Sequence, residues 1–146
     1  MPEHTIEIRG AGAFVRLDFQ HRAYPEKQDH WDGNWVVTRI QAEVPGFRAD
    51  FTDQVHLGDV VRFYEEVLKM HVTLSGQATL AMMEEFLSVT GELDPRGALR
   101  WSARLARSFR SGTHLHLAWE ADQSYLPELI RQLEEALIAF QVRGRT

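Results

Sequence analysis

Two segments of this chain carry apolar residues at the helical period, and each follows a run of period-two alternation. In the first, Leu57, Val60, Val61, Tyr64 and Leu68 fall on one stripe while Arg62, Glu65, Glu66 and Lys69 face away. In the second, Leu126, Leu129, Ile130, Leu133, Leu137 and Phe140 do the same. Set 69 residues apart, the two segments also share polar residues. Gln54, Arg62, Glu65 and Glu66 match Gln123, Arg131, Glu134 and Glu135. Helical patterning accounts for the apolar matches and not for the polar ones, so an internal duplication is expected.

The strands before each helix set their own register. Val36, Thr38, Ile40, Ala42 and Val44 alternate with Val37, Arg39, Gln41 and Glu43, Pro45-Gly46 turns the chain, and Phe47, Ala49 and Phe51 return. Pairing Val44 with Phe47 places Ala42 on Ala49, Ile40 on Phe51 and Glu43 opposite Arg48. A second hairpin pairs Trp101 with Trp119, Ala103 with Leu117 and Leu105 with Leu115, and sets Arg100 opposite Glu120. Ile6 and Ile8, then Val15, Leu17 and Phe19, read as a hairpin turning near Gly10 and Gly12. Ala78 and Leu80, then Leu87 and Val89, read as two more strands, and Asp94-Pro95-Arg96-Gly97 as a turn. Ser124 is the expected N-cap of the second helix, with Pro127 in its first turn. The expected fold is α+β: about eight antiparallel strands and two amphipathic helices, ordered β4-α-β4-α. Each half has one helix to cover its sheet, so a single domain, 1–146, is expected, with halves of roughly 1–75 and 76–146 sharing a core.

Size and composition bound the function. A chain of 146 residues with no cysteine cannot hold a disulfide framework, a thiolate zinc site or a cysteine nucleophile. The start of the chain lacks a signal-peptide pattern, and no apolar run approaches the ~20 residues that cross a bilayer. A cytoplasmic protein is expected. The net charge of −5 argues against nucleic acid or an anionic membrane as partner and would suit a basic protein.

Candidate sites are few. Asp29-His30-Trp31-Asp32 puts two carboxylates beside a histidine, types that can act as acid and base or grip a ligand. The plainer reading is a surface loop with Asx turns and a tryptophan packed on the sheet edge. His114 and His116 share one strand face opposite Arg100 and Arg104. Two imidazoles fall short of the three or four protein ligands that zinc takes, so a solvated outer face or protein-binding patch is expected. Phe109, in the Ser108–Gly112 turn, is a candidate contact residue. The chain's tryptophans and tyrosines lack the basic stripe of a base-stacking platform. Walker, GxGxxG, HExxH and GxSxG patterns are absent. The residues indicate no catalytic group, metal or cofactor.

The stretch YPEKQDHWDGNWVVTRIQAEV, Tyr24 to Val44, resembles the WapI-like immunity proteins. Tyr24-Pro25, an acidic loop with Asp29 and Asp32, then Asn34-Trp35 before an alternating strand carry the likeness, and the element order extends it to the last helix. Val36 stands where an aliphatic usually follows the tryptophan. The resemblance implies a small cytosolic protein that neutralises a cognate bacterial toxin, in that family a tRNA nuclease, by binding it. It carries over no contact residues, and Asn34 looks structural, with a tolerance for positive φ and a local capping role. Two rivals stay open: a small-molecule-binding or enzymatic domain using the 29–32 loop or the His114/His116 face, and a structural protein self-associating through a sheet edge. A monomer and a homodimer are both compatible with the sequence.

Overall fold

A computed structural model of the chain describes residues 4–82, 84–107 and 112–144. Eight strands form two antiparallel sheets of four, each followed by a helix. The first sheet runs β1 (His4–Gly10), β2 (Ala13–Arg22), β3 (Trp35–Val44) and β4 (Phe47–His56), and α1 (Leu57–Thr73) follows. The second runs β5 (Gly76–Ala81), β6 (Leu87–Leu93), β7 (Ala98–Ala106) and β8 (His114–Asp122), and α2 (Leu126–Ala139) follows after a 3-10 turn. The α+β architecture agrees with the order read from the sequence.

Both proposed hairpin registers hold. Val44 meets Phe47, Ala42 meets Ala49, Ile40 meets Phe51, and Glu43 is the partner of Arg48. An ion pair on that face runs diagonally, from Arg39 to Asp50 at 2.6 Å. Trp101 meets Trp119, Ala103 meets Leu117, and Arg100 bonds Glu120 at 3.0 Å. Asp94 closes its turn by accepting from Arg96 N–H and Ala98 N–H. Gly91 sits directly under Trp101, where an added Cβ would lie 2.5 Å from Cζ3 of the indole. Only hydrogen at that position lets the ring lie across β6.

The inward face of α1 differs from the expected stripe. Leu57, Val60, Phe63, Val67 and Met70 are buried, Val61 and Tyr64 flank them, and Leu68 is exposed. Both stripes are apolar at helical spacing, and tertiary packing chooses between them. Ser124 is not the cap of the second helix either. Asp122 accepts from both the N–H and the hydroxyl of Ser124, capping a 3-10 turn over Gln123–Tyr125 that leads into α2. Pro127 lies in the first turn of α2, as expected.

These details place the helices in a different correspondence from the one their polar residues suggest. His56 and Asp122 both cap, on Gly58 N–H and Ser124 N–H respectively. Glu66 accepts the N–H of Thr79 on edge strand β5, and Gln132 accepts the N–H of Glu7 on edge strand β1. Each of these equivalent pairs is 66 residues apart (122 − 56, 124 − 58, 132 − 66). The buried Val60, Phe63, Val67 and Met70 then correspond to the buried Leu126, Leu129, Leu133 and Ala136. The 69-residue superposition is therefore about one helical turn out of step. The helix of each half satisfies an edge strand of the other half. One cluster of buried apolar residues includes both sheets and both helices.

Candidate functional site

The loop between β2 and β3 is built from its own hydrogen bonds and from the chain's last described residues. Asp29 accepts the N–H of Asp32 through Oδ2 at 2.8 Å, and its carbonyl accepts from Gly33 N–H at 3.1 Å, opening a 3-10 turn over Asp32–Asn34. The Asp32 N–H, foremost among several causes, holds the Asp29 carboxyl below the usual carboxylate range. The expected Asx turn would accept from the N–H two residues on; Asp29 bonds three residues on instead, as a side-chain brace for the 3-10 turn.

Asn34 is fully buried and does not adopt positive φ. Its amide donates to the carbonyls of His30 (2.7 Å) and Arg143 (2.9 Å), and its Oδ1 accepts from Arg143 N–H at 2.8 Å. Arg143 in turn donates to the carbonyls of Pro25 and Lys27, at 2.7 and 2.8 Å. Arg22 donates to the carbonyls of Gly33 (2.6 Å) and Gln141. Desolvation, and then the neighbouring charge of Arg143, lower the Arg22 pKa. Gly144 has φ +69 and packs so closely that an added Cβ would lie 2.5 Å from His30 N.

Trp31 leans on His56 at the start of α1. The rings stack at 5.1 Å and 30°, and Trp35 meets His56 edge-on at 4.9 Å. His56 is only 5% exposed. Its Nδ1 lies 3.0 Å from Gly58 N and its Nε2 lies 3.1 Å from Trp31 O. An N–H can only donate, so Nδ1 is the acceptor and Nε2 carries the proton, donating to the Trp31 carbonyl. One neutral imidazole therefore caps α1 and tethers the loop. Trp31 itself remains 48% exposed and Tyr24 41%.

The second candidate surface lies on the outer face of the other sheet. Arg104 donates to His114 Nδ1 at 3.1 Å, and His116 is its cross-strand partner. The two imidazole centres stand 6.4 Å apart. At the far end of the same strands, Arg100 and Glu120 border an open groove of about 620 Å³, with Glu92 and Asp94 on its rim. Phe109 lies outside the described residues. The structure thus keeps the two nominated groups on different sheets. Among the described residues, no group of three or more His, Asp or Glu is placed to hold a metal ion. No helix there is long and apolar enough to cross a membrane.

Sequence reasoning missed His56 and Arg143. Histidine is not one of the side chains that ordinarily mark an N-cap, so the cap of His56 shows only in its geometry. Nothing local marked Arg143, whose partners lie more than a hundred residues away.

A braced loop on a frame of two sheets and two helices defines an α+β scaffold. The chain belongs to the immunity protein WapI-like family, whose model matches residues 6–141. No curated protein matches it. Among solved structures it is similar to a chain of the Trypanosoma bruciei MRP1/MRP2 structures, at 13% identity over 94% of this chain and 84% of that one, TM-score 0.52. It is likewise similar to a chain of a guide-RNA-binding protein complex bound to a guide RNA, at 14% identity over 94% and 90%, TM-score 0.50. At such identities the likeness is one of fold.

Proposed function

We propose that this protein is a non-enzymatic immunity protein that binds and neutralises a cognate bacterial toxin in the cytoplasm. Membership of the immunity family over residues 6–141 carries the reading. The net charge of −5 supports a basic toxin, such as a nuclease, because opposite potentials speed encounter and disfavour wrong partners. The carboxylate of Asp29 is engaged in its own turn, which favours binding over acid–base chemistry at that loop. The test is to screen the products of the neighbouring reading frames for a toxin domain that copurifies with the chain. A stable complex is expected on size exclusion. Separate elution at micromolar concentrations contradicts the reading.

A further inference from the structure

We propose that the solvent face of the 24–32 loop is the toxin-binding surface, with Trp31 and Tyr24 as anchors for a basic, arginine- or lysine-bearing patch of that protein. The inference rests on the immunity reading and adds where the contact lies. Three observations favour this surface.

The first is residue type. Tyr and Trp concentrate binding energy at interfaces, and here both stand between two-fifths and half exposed on one short loop. The second is rigidity. Bonds from Asn34, Arg22 and Arg143 hold the loop from beneath, and His56 holds Trp31 by stacking and through its carbonyl. A loop ordered before binding loses little entropy on binding. The third is charge. Glu26 and Asp29 are exposed beside the aromatics and Asp32 is half-buried, so these carboxylates outnumber the loop's one exposed cation, Lys27, while the two nearby arginines spend their donors on main-chain carbonyls. A partner cation near Trp31 would meet an aromatic face and a carboxylate together. The outer face of the second sheet is a weaker candidate, because Arg100 and Glu120 neutralise each other there.

The probe is the purified toxin domain from the neighbouring frame, titrated calorimetrically against the wild-type chain, Trp31→Ala, Tyr24→Ala and Asp29→Asn. Asp29→Asn keeps an oxygen for the turn and removes the charge. Val72→Ser, at an exposed apolar residue on α1, is the control. Expected results are a loss of ~30-fold or more for Trp31→Ala and ~5-fold or more for Tyr24→Ala, with Val72→Ser unchanged. Asp29→Asn should slow association and flatten its salt dependence. Tyr24→Ala keeps the test decisive if Trp31→Ala misfolds. If the wild type binds and both aromatic variants stay within twofold of it, this surface is overturned while the immunity reading stands. If the wild type does not bind, both fall.

Discussion

Asn34 and Arg143 pair reciprocally across 109 residues of sequence: the side-chain oxygen of one accepts the main-chain N–H of the other, and the amide nitrogen donates to its carbonyl. The pairing joins the loop before β3 to the chain after α2. Asn34→Ala would leave the N–H and the carbonyl of Arg143 and the carbonyl of His30 without their side-chain partner. A loss of about 2–4 kcal/mol is expected in denaturant unfolding, within reach of three unmade, partly buried bonds. Faster amide exchange at Arg143 should accompany it. Full protection there in the variant would contradict the pairing.

The tautomer of His56 follows from its neighbours, and nitrogen NMR can read it. A protonated Nε2 and an unprotonated Nδ1 are expected. His56→Ala should cost about 1–3 kcal/mol, combining a lost cap with a lost tether, whereas His56→Asn keeps a capping oxygen and should cost less. Equal losses for the two would argue against the cap.

Gly91→Ala puts a methyl into the Trp101 ring, where β6 cannot move away without disturbing its pairing with β7. Overpacking of this kind costs about 1–3 kcal/mol. Combining it with Trp101→Leu should give less than the sum of the two single losses, and strict additivity would mean that the contact is not the cause.

Acid should loosen the entry to α2. The Ser124 hydroxyl and then its N–H hold the Asp122 carboxyl below the ordinary range. A carboxyl lowered in the folded state contributes stability above its unfolded pKa, and the contribution is lost as pH falls through the folded value. Carbon NMR of the Asp122 carboxyl should show a depressed midpoint, and Ser124→Ala should raise it. An unchanged midpoint in Ser124→Ala would contradict that cause.

The hairpins were legible because two faces constrain one register: a slip at Ile40–Phe51 or Trp101–Trp119 would turn apolar residues to water. The helices were less legible. α1 offers two apolar stripes, and whether Leu68 or Met70 turns inward depends on the sheets beside it. The shared Arg and Glu-Glu pointed to a superposition one turn away from the one marked by His56 and Asp122. Arg62, Glu65, Arg131 and Glu135 face solvent, whereas Glu66 bonds the edge of β5, a role that Gln132 and not Glu135 fills on β1. A turn at Asp29 could be foreseen from local spacing, though not its bond three residues on. The Asn34 pairing could not, because its partner arrives from the other end of the chain.

The most direct test of the account is survival of cells expressing the toxin domain of the neighbouring reading frame. Coexpression of the wild-type chain should restore growth, Trp31→Ala should restore it poorly at equal protein level, and Val72→Ser should restore it fully. Continued toxicity with abundant, folded wild-type chain would contradict the central claim.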